Sequence, residues 1–226
     1  MADIDYPRFY RLATRCQELA SRAGVSATVS EGFTSVLAPL LTAYKATHDA
    51  LPAAEAKAAK ERGEGFVALG KIDQPYRVAR AAVLLHRPYE SLPETLKMQP
   101  TDTDKLNAVQ ALLHVLEAAD AAHETWAGPL LTGEFGTLAP EVVREVSEAI
   151  AASTDLSHAV QARSAAYQPA YDAYLRFKNV VRQVFGATSR EYHSIHIRAG
   201  HASDADPTAG TPAAAPPAAP PTTPSA

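Results

Sequence analysis

Apolar and small side chains recur at steps of three and four through the last third of the chain: Val143, Val146, Ile150, Ser153, Ser157, Val160, Ser164, Tyr167, Tyr171, Tyr174, Lys178, Val181 and Phe185. That spacing puts them on one stripe of an α-helix and predicts a single amphipathic rod of roughly 40 residues, on the order of 65 Å long. Ala139 and Pro140 open the rod, since proline is tolerated in a first turn, and Gly186 closes it. The stripe has three zones: an aliphatic start from Val143 to Ile150, a serine-spaced middle, and an aromatic, basic end. Small serines on a core stripe predict close approach of another helix, within the fold or across a dimer.

The same reading carried along the chain yields helix after helix. Phe9, Leu12, Cys16, Leu19 and Ala23 predict a short N-terminal helix ending at Gly24. A second segment opens at Ser30 and Glu31 and carries Phe33, Val36, Leu37, Leu40, Leu41, Tyr44, His48 and Leu51. Pro39 marks a first turn there, and Pro52 a kink or restart. The stretch Ala53 to Arg62 can be helical but buries little. Leu69, Ile72, Tyr76, Ala79, Val83 and His86 form a third stripe that starts regularly near Asp73 and stops at Pro88, before a loop to Pro100. A fourth helix runs over 104–126, its start supplied with capping acceptors by Thr101, Asp102, Thr103 and Asp104 and its end broken by Gly128, Pro129, Gly133 and Gly136. Short connections imply antiparallel neighbours. The expected fold is therefore all-α: an up-and-down antiparallel bundle of four main helices plus the N-terminal one, with one very long C-terminal helix.

Composition sets the limits of that domain. From about Ala199 the chain turns to Ala, Pro, Thr and Ser, with seven prolines. Such a segment has no apolar surface to offset its ordering entropy, so residues 1–198 read as the helical domain and 199–226 as a disordered Ala/Pro-rich tail. A net charge of -4 and a pI near 6.1 give no global attraction to nucleic acid or an anionic membrane. No stretch approaches the roughly 18 apolar residues that span a bilayer. Cys16 is the only cysteine, which excludes an internal disulfide and a multi-cysteine metal site. Together with an acidic, unhydrophobic start (Asp3, Asp5), this reads as a cytoplasmic chain with no membrane partner.

Candidate chemistry is sparse. Asp120 and His123, three residues apart on the fourth helix, resemble half of a di-metal motif, and Asp155 with His158 repeats the spacing. The second pair falls beside the long stripe and about 30 Å along its helix, out of level with the first, so the expectation is no bound metal and no cofactor. His48, His86, His114 and His123 read as bundle-rim histidines. There is no H-E-x-x-H, no Gly-rich phosphate loop and no G-x-S-x-G elbow, and no catalytic residue is assigned.

The end of the rod is the expected working surface: Tyr167, Tyr171, Tyr174, Phe177, Val181, Arg182 and Phe185, an aromatic ladder beside Arg176, Lys178, Arg190 and Arg198. Aromatics on a buried stripe are usually core, and cations at a helix C-terminus complement its dipole. Stacking and basic charge together leave nucleic-acid or anionic-partner binding as a further alternative.

The passage Phe185, Gly186, Ala187, Thr188, Ser189, Arg190, Glu191, Tyr192 resembles a recurring F/Y-G-x-x-S-x-E-Y/L ending of uncharacterised bacterial helical proteins, with Arg190 where those endings often have proline. The resemblance implies a bacterial origin and a long helix stopped at the glycine. No activity comes with it. The leading expectation is a non-enzymatic helical scaffold that binds another protein or itself through the long C-terminal helix, with a metal-binding bundle using Asp120 and His123 as the alternative.

Overall fold

The computed structural model describes residues 5–196, and every regular element among them is helical. Two helices dominate: α3, Ala38–His86, with 49 residues, and α6, Glu134–Phe185, with 52. The shorter ones are α1 (Tyr6–Ala20), α2 (Ala27–Gly32), α4 (Asp102–Ala121), α5 (Gly128–Thr132) and α7 (Arg190–Ser194). α3 and α6 run antiparallel over most of their lengths. Tyr44 faces Tyr167, Lys57 reaches Asp155, Gly65 meets Ala149, Lys71 reaches Glu141 and Tyr76 faces Phe135. Residue numbers rise on one helix about as fast as they fall on the other, which defines an unslipped hairpin.

This corrects the expected bundle of four main helices. The second and third expected helices are one helix, because α3 passes through both Pro52 and Pro75 without a break. Each proline forfeits a backbone hydrogen bond, at about 3 kcal/mol for an interior position, and docking of both flanks on α6 offsets that cost. Pro39 acts differently. The five residues before it and Ala38, Phe33–Leu37, form a π-helical turn that joins α2 to α3, so the missing amide falls where the hydrogen-bond ladder is already shifted.

The remaining boundaries also move. α4 stops at Ala121 and not at 126, and His123 turns the chain with a left-handed backbone (φ 62°). α6 begins at Glu134, ahead of Pro140. The loop expected over 88–100 contains a 3-10 turn, Leu96–Met98, held down by Tyr76 Oη donating to Pro93 O at 2.8 Å and by Arg80 Nε donating to Leu92 O at 3.1 Å. A short helix, α7, follows Gly186, capped by Ser189, and Tyr174 Oη donates to Ile195 O at 2.7 Å just beyond it. Ile197, Arg198 and the expected 199–226 tail lie outside the described residues. Gly186 does end the long helix, at φ 90°, a conformation glycine adopts without strain.

Each end of the hairpin has its own core. At one end α4 packs Val109, Leu112 and Leu116 against Ile72, Tyr76 and Val83 of α3 and Val142 and Val146 of α6. At the other, α1 and the π turn pack Phe9, Leu12, Cys16 and Leu37 against Tyr44 of α3 and Tyr174, Phe177 and Val181 of α6. Complete burial of one such side chain contributes about 1.5–3 kcal/mol. Between the cores lies a waist. α6 has no buried residue from Ser153 to Pro169, and α3 has only Ala58 and Gly65 from Pro52 to Val67. The two helices touch there through small residues: a Cβ on Gly65 would lie 3.4 Å from that of Ala149.

The waist bears on the serines of the α6 stripe, and it corrects the expectation that another helix of the same fold closes over them. Ser157, Val160 and Ser164 are exposed, not closed under another helix. α4 starts at Asp102 beside Ile150 and Ser153, and α1 starts at Tyr6, whose hydroxyl lies 3.1 Å from Ser164 Oγ. The stripe becomes polar where its two covering helices leave off.

Cys16 and Tyr44 sit inside the α1 core, at 1% and 0% exposure. Burial pushes the Cys16 thiol up to about 12, slightly opposed by Lys45, and pushes the Tyr44 hydroxyl to about 12 against a smaller opposing effect of Arg163. Both groups therefore favour the folded state fully below their unfolded values, and that contribution is lost as pH rises towards about 12. Two results are expected: no alkylation of Cys16 by iodoacetamide at pH 8 unless denaturant is present, and alkaline melting that starts at the α1 end. Rapid labelling of the native protein would contradict this packing.

Candidate interaction surface

The structure takes the expected surface on α6 largely out of contact with solvent. Tyr174, Phe177 and Val181 are 2%, 3% and 0% exposed, covered by α1, the π turn and α7. Tyr167, Tyr171 and Phe185 are half-buried, and only Arg182 is exposed. Phe9 is the reason: its ring stands edge-on to Tyr44, Tyr167, Tyr171 and Tyr174 with centroids 5.0 to 6.1 Å away. The ladder is interior packing.

The metal candidates do not meet. Asp120 and His123 are exposed at the end of α4, with Asp120 against Gly128. Asp155 is tied to Lys57 at 3.1 Å, and His158 lies on the waist. A different acidic group forms where α3 meets α6: Glu61, Glu145 and Glu148 bring carboxylate oxygens within 4.8 Å of one another. Sequence reading missed it because it joins residues from two helices. Lys60 pairs with Glu61 at 3.3 Å, and Arg144 pairs with Glu145 and Glu148, while Glu61 Oε2 is buried with no hydrogen-bond partner. A waist groove of about 370 Å³ is lined by Arg62, Asp102, Ser153, Ser157, His158 and Gln161.

The basic end gains residues that the α6 stripe alone does not include. Arg11, Arg15 and Arg22 are exposed on and just after α1, the helix packed on this end of α6, where Arg176 and Arg182 are also exposed. Lys178 is engaged over the Tyr192 ring at 5.8 Å, and Arg22 pairs with Glu191 at 3.6 Å. Across residues 5–50 and 163–196 there are ten Lys and Arg against six Asp and Glu, a net charge of +4. Residues 51–162 hold ten against sixteen, a net charge of -6. The hairpin is electrically polar from end to end.

Several exposed large apolar side chains lie together on α3. Its buried line, including Ala68, Ile72, Tyr76, Ala79 and Val83, faces α4 and α6. The opposite side carries Ala56, Ala59, Gly63, Val67, Gly70, Gln74, Val78, Ala81 and Leu85, all exposed, with Phe66 on its flank. Phe66 is 76%, Val67 54%, Val78 55% and Leu85 79% exposed. An outward helix face is ordinarily polar. The signal was present in the sequence as two apolar phases on one helix, of which the hydrophobic-stripe reading followed only the one that is buried.

Comparison with protein-family models, curated proteins and solved structures finds no match to this chain. Among the described residues no helix is long and apolar enough to cross a membrane.

Proposed function

We propose that this protein is a non-enzymatic helical scaffold that works by binding a protein through the outward face of α3. The observation that carries the reading is the exposure of Phe66, Val67, Val78 and Leu85 on adjoining lines of one helix while the apolar stripe of α6 is covered at both ends. Contiguous apolar surface flanked by charge is the usual mark of a protein interface. The long paired helices hold that face straight, and the cores at either end keep it rigid.

A photo-crosslinking residue placed at Phe66 of the full chain, in cells that make it, is expected to capture a protein. The same probe at Glu18, an exposed residue of α1, serves as the control. Equal yields from the two positions, or none from Phe66, would remove the reading. A second reading rests on the charge asymmetry: the +4 end fits an anionic partner, nucleic acid included. Salt-sensitive retention on immobilised DNA, lost in an Arg11→Glu, Arg15→Glu variant, is the outcome that would favour it.

A further inference from the structure

We infer that the groove at the waist binds a small polar zwitterion of the α-amino acid class, with its carboxylate on Arg62 and its ammonium group on Asp102. The site is independent of the outward face of α3. Its volume of about 370 Å³ falls towards the lower end of the range for small-molecule sites. Three elements meet there: α3 contributes Arg62, the start of α4 contributes Asp102, and α6 supplies the rest.

The polar groups of the groove are unspent. Among the described residues, the side chains of Arg62, Ser153, Ser157, His158 and Gln161 make no hydrogen bond or ion pair. A hydroxyl inside a helix can bond the carbonyl one turn back. Thr137, Thr154 and Ser164 of α6 do so, donating to Gly133, Ile150 and Val160 O at 2.9, 3.0 and 3.0 Å. Ser153 and Ser157 do not, and both line the groove. Elsewhere along the hairpin, cations of α3 reach carboxylates of α6, Lys57 to Asp155 at 3.1 Å and Lys71 to Glu141 at 3.8 Å. Arg62 lies between those two lysines in sequence and has no such partner.

The lining selects the ligand class. Arg62 and Asp102 carry opposite charges on one groove without pairing, and Asp102 is held by Lys105 of its own helix, at 2.8 Å through Oδ1. A simple anion would meet Asp102 and the -6 charge of residues 51–162, and a simple cation would meet Arg62. A molecule that carries both charges leaves neither opposed. The planar fork of a guanidinium matches a carboxylate, and Asp102 Oδ2 remains to accept from an ammonium group. Ser153, Ser157 and Gln161 follow one another at four-residue steps, a line of donors and acceptors about 12 Å long that suits a polar side chain. No Phe, Tyr or Trp ring lines the groove, which removes the stacking that an aromatic side chain or a nucleobase would use.

L-glutamine is the probe, because its side-chain amide both donates and accepts. Calorimetry and ligand-observed NMR on the full chain are expected to show saturable binding with a Kd on the order of 1 mM or tighter. N-acetylglutamine lacks the ammonium group and glutaminamide lacks the carboxylate, so each should bind about tenfold more weakly or worse. Arg62→Gln should weaken L-glutamine to the same extent and erase its advantage over glutaminamide. Asp102→Asn should erase its advantage over N-acetylglutamine. Ser157→Leu, at an exposed helical position, should fill the groove and abolish binding with helicity and melting temperature unchanged. The proposal is overturned by a wild-type chain that does not bind L-glutamine, by binding that survives both Arg62→Gln and Ser157→Leu, or by acetate binding as tightly as L-glutamine.

Discussion

Replacing Phe9 by alanine is expected to cost about 3–5 kcal/mol, the range for deleting a buried aromatic ring from a packed core. Phe9 is 2% exposed and is the one ring that touches Tyr44 on α3 and three tyrosines on α6 at once. Its edge-to-face contacts add roughly 0.5–1.5 kcal/mol apiece beyond area burial, so their loss falls on the attachment of α1 as a whole. For a chain of this size the melting temperature should drop by roughly 6–20 °C. Trp126, the only tryptophan, stacks on His86 at the opposite end of the hairpin, with centroids 4.8 Å apart. Tyrosine ellipticity should therefore fall before tryptophan emission shifts, because so little is buried in the waist that links the two cores. An unchanged melting temperature would show that Phe9 is not the keystone of the α1 core.

Gly136→Ala tests the other end, and its sign opposes ordinary helix propensity. Alanine for glycine inside a helix normally gains about 0.5–1 kcal/mol. At Gly136 the added Cβ would lie 1.9 Å from Leu131 O, with the rest of that peptide also within contact, so the elbow between α5 and α6 would have to open. A loss of about 3 kcal/mol is expected, at the upper end of overpacking costs, with Trp126 emission changing first. The same substitution at Gly63 or Gly70, where nothing is near, should raise the melting temperature of the single chain. Equal effects at all three positions would mean the elbow is looser than drawn.

The sequence disclosed much of this architecture, unevenly. The long C-terminal helix and its three zones were readable because Val143 to Phe185 keep one phase for twelve turns, and Gly186 stops them. The continuity of α3 was not readable, since proline rules are local and what carries the helix through Pro52 and Pro75 is tertiary contact with α6. The boundary of α4 slipped because Ala121 to Trp126 are compatible with helix, whereas Glu124 is drawn away to accept from Arg87 and from Trp126 Nε1 at 2.5 and 2.8 Å. The candidate surface moved from α6 to α3 for a related reason. A stripe at helical spacing states that a face is apolar and leaves open whether a neighbour covers it. Tyr174 and Val181 have α1 as that neighbour, while Val67 and Val78 stay more than half exposed among the described residues. The carboxylate group of Glu61, Glu145 and Glu148 depends on the hairpin register, which no single segment encodes.

The waist has a mechanical consequence. Two unbroken helices joined by Ala58, Gly65, Ala149 and Ala152, and clamped by separate cores at either end, form a torsion bar. Along the axis the rods resist extension, since lengthening either means breaking its own hydrogen bonds. Around the axis a few methyl groups, one glycine and the exposed Lys57–Asp155 pair oppose rotation. A force applied to α1 would thus reach α4 as twist, and whatever grips α3 at its middle would set how far one end can turn against the other.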